Sequence, residues 1–94
     1  MVEFRHCIIF MKLIGKVIHY YGKVGVAIIR LEDTLRRGDG IRIAKGEQSF
    51  DQEVTSIQKE YQDVEEAVPG DEVGVKVDEK VHEGAIVIRL EEGD

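Results

Sequence analysis

Apolar residues recur at alternate positions along most of this chain, in short runs separated by glycine-rich or charged turns. Period-two alternation belongs to half-buried β-strands, and turn signals at short, even spacing belong to sandwiches and barrels. Residues 14–20 form the first predicted strand. Tyr21-Gly22-Lys23 follows as a tight turn, with Gly22 free to take positive φ. Residues 24–31 form the second, with Val24, Val26 and Ile28 on one face and the small Gly25 and Ala27 beginning the other. Gly38-Asp39-Gly40 then launches Ile41-Arg42-Ile43. After a turn at 45–49, residues 50–58 read as a fourth strand, in which Val54 and Ile57 break the alternation and call for a bulge. Pro69-Gly70-Asp71 launches a fifth strand at 72–77, whose valines alternate with Gly74 and Lys76. A charged turn at 78–84 leads to the sixth strand at 85–90.

One segment carries two periods. Ile57, Tyr61, Val64 and Val68 lie on a helical stripe, which Pro69-Gly70 would stop. The expected course is a strand to about Glu60, then at most one helical turn before Pro69. The expected fold is therefore all-β: a small antiparallel six-stranded barrel of Greek-key character. Val26, Ile28, Ile43, Val73, Val75 and Ile88 are expected to face inward. Residues 1–13 differ in character from the rest of the chain and are an N-terminal extension or an extra strand, residues 14–90 form the barrel, and residues 91–94 are a polar tail.

Ninety-four residues hold one domain. A hydrophobic content of 43% beside 34% charged residues suits a globular chain rather than a disordered one. Asn and Trp are absent while Lys, Arg and Glu abound, the bias of hyperthermophile proteins. The net charge of −6 argues against indiscriminate binding to nucleic acid, because gripping phosphates requires a basic surface. Cys7 is the only cysteine, so no intramolecular disulfide forms. No apolar run approaches the ~20 residues of a membrane span, and residues 7–11 are too short for a secretory core. A cytoplasmic protein with no membrane role is expected.

Candidate chemistry is sparse. His6 and Cys7 have no second cysteine and no nearby histidine with which to bind metal or activate a thiol. Carboxylates cluster at 65–66, 71–72, 78–79 and 91–92, in turns and the tail, where solvation keeps them ionised. Asp39 and Asp71 are expected to bond backbone within their turns. No phosphate-binding glycine loop occurs, which argues against GTP binding. The chain reads as a non-enzyme without cofactors. Its best binding surface is the basic and aromatic group around the first hairpin, Lys12, Lys16, Tyr20, Tyr21 and Lys23, with His19 among them and Arg36 and Arg37 as possible neighbours. Aromatics stack on bases and lysines meet phosphate, so tRNA or rRNA is a conceivable ligand, weakly held by the domain alone.

Residues 14–27, from Ile14-Gly15-Lys16 to Val24-Gly25-Val26-Ala27, resemble the opening hairpin of the second domain of translation GTPases such as elongation factor Tu. Residues 35–43 are similar to that family's next turn and strand, residues 54–60 to the one after, 67–77 to its Ala-x-x-Gly-Asp/Glu-x-Val-Gly strand, and 82–88 to its last turn and strand. The ordered set implies a domain 2 barrel, here resembling stand-alone elongation-factor-like proteins. It implies a non-catalytic module that docks on a protein or ribonucleoprotein in translation. Residues 31–33 and 57–60 depart from the family's aminoacyl-end contacts, so no tRNA-binding residue is carried over. A similar barrel ends some proteins of the collagenase-like peptidase family, associated with RNA hydroxylation. That likeness implies the alternative, an accessory barrel subunit of a separately encoded RNA-modifying enzyme.

Overall fold

The structure is a computed structural model that describes residues 7–93, and their side chains from residue 11 to residue 90. It is all-β, as the alternation requires, but built from ten strands rather than six: β1 (Cys7–Tyr21), β2 (Val26–Leu31), β3 (Leu35–Arg36), β4 (Gly40–Lys45), β5 (Gln48–Glu53), β6 (Ile57–Lys59), β7 (Gln62–Val64), β8 (Glu66–Ala67), β9 (Glu72–Lys76) and β10 (Ile86–Gly93). Eight of them make one antiparallel sheet in the order β5-β4-β10-β1-β2-β9-β6-β7, and β3 pairs with β8 in a small ribbon. The sheet curls around a single core, giving a barrel-like domain. Leu35 and Ala67 of the ribbon and Val77, Val81 and Ala85 of the connection before β10 are buried in that core.

β1 is the longest strand and organises the sheet. Its first part, from Cys7 to Lys16, pairs with β10, and its last part, from Gly15 to Tyr21, pairs with β2. Residues 7–13 thus continue the same strand as residues 14–21. Ladder shifts fall at Ile8/Phe10 and Leu13/Gly15 against β10, and at Val17/His19 against β2. Each adds a residue to one side and bends the strand. Gly15 sits where both ladders meet, facing Val87 and Leu31. A Cβ there would lie 2.6 Å from the Arg30 carbonyl oxygen and 2.9 Å from Ile29 Cγ2, so only glycine lets the strands approach.

Three expectations are corrected. First, β2 presents Ala27, Ile29 and Leu31 to the core, not Val26 and Ile28. The hairpin loop spans residues 22–25, closed by Gly25 N–H donating to the Tyr21 carbonyl at 2.9 Å, and Gly25 rather than Gly22 takes positive φ (67°). Moving the turn this way exchanges the two faces of the strand. Val26 and Ile28 lie outside, half-buried over Gly74, which pairs with Ile28. On β10 likewise Val87 is buried and Ile88 only half-buried. Ile43, Val73 and Val75 do face inward.

Second, the predicted strand at 50–58 is two strands, broken at 54–56. Val54 is buried there, donating from its N–H to the Asp39 carbonyl and accepting from Gly38 N–H, both at 2.8 Å. Third, the strand expected to end near Glu60 turns back at once into a further strand, while the limit of at most one helical turn holds among the described residues. β6 and β7 form a hairpin whose two-residue turn, Glu60 and Tyr61, has φ of 53° and 68°. Positive φ at both positions is the primed turn that matches strand twist. The helical stripe is accidental: Ile57 is buried, whereas Tyr61 stands in solvent.

β5 and β7 end the sheet and do not pair with each other. Part of the roll is closed by a side chain. Gln52, 8% exposed, donates from Nε2 to the Lys76 carbonyl (2.8 Å) and the Glu53 carbonyl (3.3 Å), while its Oε1 accepts from Asp78 N–H (2.8 Å). A buried amide with both ends satisfied takes the place of a missing ladder rung.

Candidate functional site

The first hairpin does not gather its five candidate residues on one surface. Lys12 projects toward Asp33, with Nζ 2.8 Å from Oδ2. Asp33 also accepts from Thr34 N–H at 2.8 Å and stands 3.3 Å from Arg89 Nη2. The hydrogen bonds from Lys12 and Thr34 hold its carboxyl at about 2, below the ordinary 3.8. Lys12 is thus engaged within the domain. Tyr20 packs against the core, opposite Ala27. Lys16 and Tyr21 lie outside on β1, opposite Arg30 and Val26, and Lys23 is exposed in the loop. Tyr21 meets the His19 ring at 4.3 Å, and His19 Nδ1 lies 3.1 Å from Glu83. Arg36 and Arg37, the possible neighbours, pair instead with Glu66 and Glu65.

His6 lies outside the described residues, as do the side chains of Cys7, Ile8, Ile9 and Phe10. Among the described residues no three His, Cys, Asp or Glu side chains are grouped to hold a metal ion, and no helix is long and apolar enough to cross a membrane. Asp39 and Asp71 bond backbone in their turns, accepting from Arg36 N–H (2.9 Å) and Val68 N–H (3.1 Å). The Val68 bond, followed by that from Lys59, lowers the Asp71 carboxyl below its ordinary range. A groove of about 870 Å³ runs past Asp33, Asp39, Glu53, Arg36 and Arg89. Its polar lining binds mainly to itself: Arg89 donates to the Thr34 carbonyl and faces Asp33, and Asp39 caps Arg36.

The outer face of β1 and β10 is different in kind. Met11 is 55% exposed, Leu13 47% and Ile86 37%. Met11 is paired with Leu90 and Leu13 with Ile88, both half-buried on the same face. Arg42, held by Asp51 through two bonds of 2.7 and 3.1 Å, borders the strip and reaches Met11 Sδ at 3.7 Å. These residues form a continuous apolar strip on the outside of the roll, the kind of surface that marks an interaction site. The sequence alone offers only the neighbouring Ile8-Ile9-Phe10 of β1, or a strand edge, as a fallback contact for a protein partner. A signal was present: Ala85-Ile86-Val87-Ile88 is apolar without interruption, as in strands covered on both faces. Val87 meets the core on one face, while on the other Met11, Leu13 and Ile86 are exposed among the described residues.

No family model matches the chain. It is 42% identical over 80 residues to an uncharacterized protease of Methanocaldococcus jannaschii, a match that takes in 84% of this chain. The chain spans about a fifth (20%) of the length of that curated relative. Among solved structures it is similar to the C-terminal domain of a Geobacillus thermoleovorans protein assigned to the U32 peptidases. The TM-score is 0.78 at 24% identity, over 85% of this chain and 92% of that domain. The selenomethionine form of the same domain gives 0.77 at 23% identity, over 81% of this chain and 96% of the domain. At such identity the likeness is one of fold: this all-β roll is the architecture of a U32 peptidase C-terminal domain, and the elongation-factor resemblance gains no support from these matches.

Proposed function

We propose that this chain is a non-catalytic accessory β-domain that works with an enzyme body of the U32 type, the collagenase-like family whose resemblance implies action on RNA. The observation that carries this reading is the M. jannaschii match, in which nearly the whole of this chain corresponds to a fifth of a much longer protein named as a protease. The shared fold with a U32 C-terminal domain supports it. So does the uncovered strip of Met11, Leu13, Ile86, Ile88 and Leu90, which suits a large partner surface better than a small molecule. The reading favours the second class considered from the sequence over a role in translation.

Tagged and expressed in its native host, the chain should co-purify with a protein homologous to the remainder of the protease relative. Leu13→Glu combined with Ile86→Glu should abolish that association while leaving the melting temperature nearly unchanged, because both side chains lie outside the core. Recovery of ribosomes or elongation factors in place of such a protein would refute the proposal.

A further inference from the structure

We propose that the β6–β7 hairpin is an anchor whose Tyr61 ring enters an apolar pocket, rimmed by lysine or arginine, on a protein partner. The proposal rests on the reading of the chain as an accessory domain and names a second contact it makes. Tyr61 is 99% exposed among the described residues. It also sits in left-handed backbone, next to Glu60 in the same conformation. Elsewhere among the described residues, positive φ is taken only by glycine, at Gly25, Gly38, Gly46, Gly70 and Gly84. At this one tip the chain keeps two side chains where glycine or asparagine would relieve the backbone. Strain at an exposed aromatic is of no use to the fold, and such strain gathers at binding sites.

The stem beneath is firm. Ile57 is buried opposite Val64, Gln58 Nε2 donates to Asp63 at 3.1 Å, and Lys59 Nζ lies 3.0 Å from Asp71. The backbone that carries the ring is therefore held in place, which lowers the entropic cost of docking the tip on a partner. Charge selects the partner's class. Glu60 precedes Tyr61 and Asp63 follows two residues later, so the tip carries two carboxylates, and the nearby cation, Lys59, is paired to Asp71. Carboxylates beside the aromatic repel nucleic acid and anionic membrane and favour a pocket edged with positive charge. Tyrosine in such a pocket is a common centre of binding energy.

Photo-crosslinking in the native host tests this, with p-benzoylphenylalanine at position 61 of the full chain and, as control, at position 23 in the exposed loop of the first hairpin. The expected result is a position-61 adduct on a partner peptide containing Lys or Arg, with none at position 23. Tyr61→Ala should reduce partner recovery about tenfold, and raising salt from about 0.05 to about 0.5 M should reduce it further. Tyr61→Gly should raise the melting temperature of the free chain while losing the partner. An adduct on RNA or lipid, no adduct above the control, or a melting temperature lowered by Tyr61→Gly each overturns the anchor. An adduct on a protein outside the U32 type upholds the anchor and removes the proposed function. Undiminished recovery of a U32-type body by Tyr61→Ala does the reverse.

Discussion

Single residues decide where this roll can close. Gly15 lies at the crossing of two ladders with no room for a methyl group, so Gly15→Ala should cost about 1–3 kcal/mol by overpacking, read from the urea midpoint. Neither its close fit nor the role of Gln52 was legible. A glutamine in a polar run reads as an outward side chain, and only the folded chain brings Lys76 and Asp78 within its reach. Gln52→Ala should leave those backbone groups unsatisfied and cost about 1–3 kcal/mol in the same measurement. Asp33 sets the acid limit. Its folded value of about 2 lies below the ordinary 3.8, so its ionised form stabilises the domain above about pH 4, and that contribution disappears as pH falls towards 2. Asp71, lowered in the same direction, acts with it. Melting temperatures followed by circular dichroism should fall steeply across this window, and Asp33→Asn should flatten the fall.

At the scale of elements, alternation and turn chemistry revealed the strands but not all their boundaries or faces. Gly38, Gly46, Gly70 and Gly84 mark turns that the sequence placed, each with positive φ. The first hairpin went wrong because two glycines, Gly22 and Gly25, compete for one turn, and the choice between them inverts β2. The segment after Val54 went wrong because four residues at helical spacing overlay a hairpin whose turn holds neither glycine nor asparagine. Replacing Glu60-Tyr61 by Asn-Gly should therefore stabilise the domain by roughly 1 kcal/mol, measured by denaturation of the free chain. The two-residue ribbon of β3 and β8 is below what any pattern can signal; it exists because Leu35 and Ala67 meet in the core. For the candidate site, the lysines and tyrosines of β1 were visible as residue types, but the shifts in β1 that send Lys12 to Asp33 and Tyr20 to the core have no local signature.

For the whole molecule, fold class was readable and the outer apolar strip was not, because an exposed apolar strip differs from a core strand only in what covers it. The pairing of β1 with β10 has a further consequence. The two strands that supply Ile14, Val17 and Val87 to the core come from opposite ends of the described chain. A chain lacking residues 86–94 should show no cooperative melting by calorimetry, since β1 and β4 would both lose their shared neighbour. During synthesis, everything made before β10 must then wait with its apolar face open until that strand emerges from the ribosome. Contacts this distant also make folding slow, on the order of milliseconds to seconds. The nascent domain is therefore a natural client for chaperones, and its vulnerable interval lasts until β10 has paired with β1 and β4.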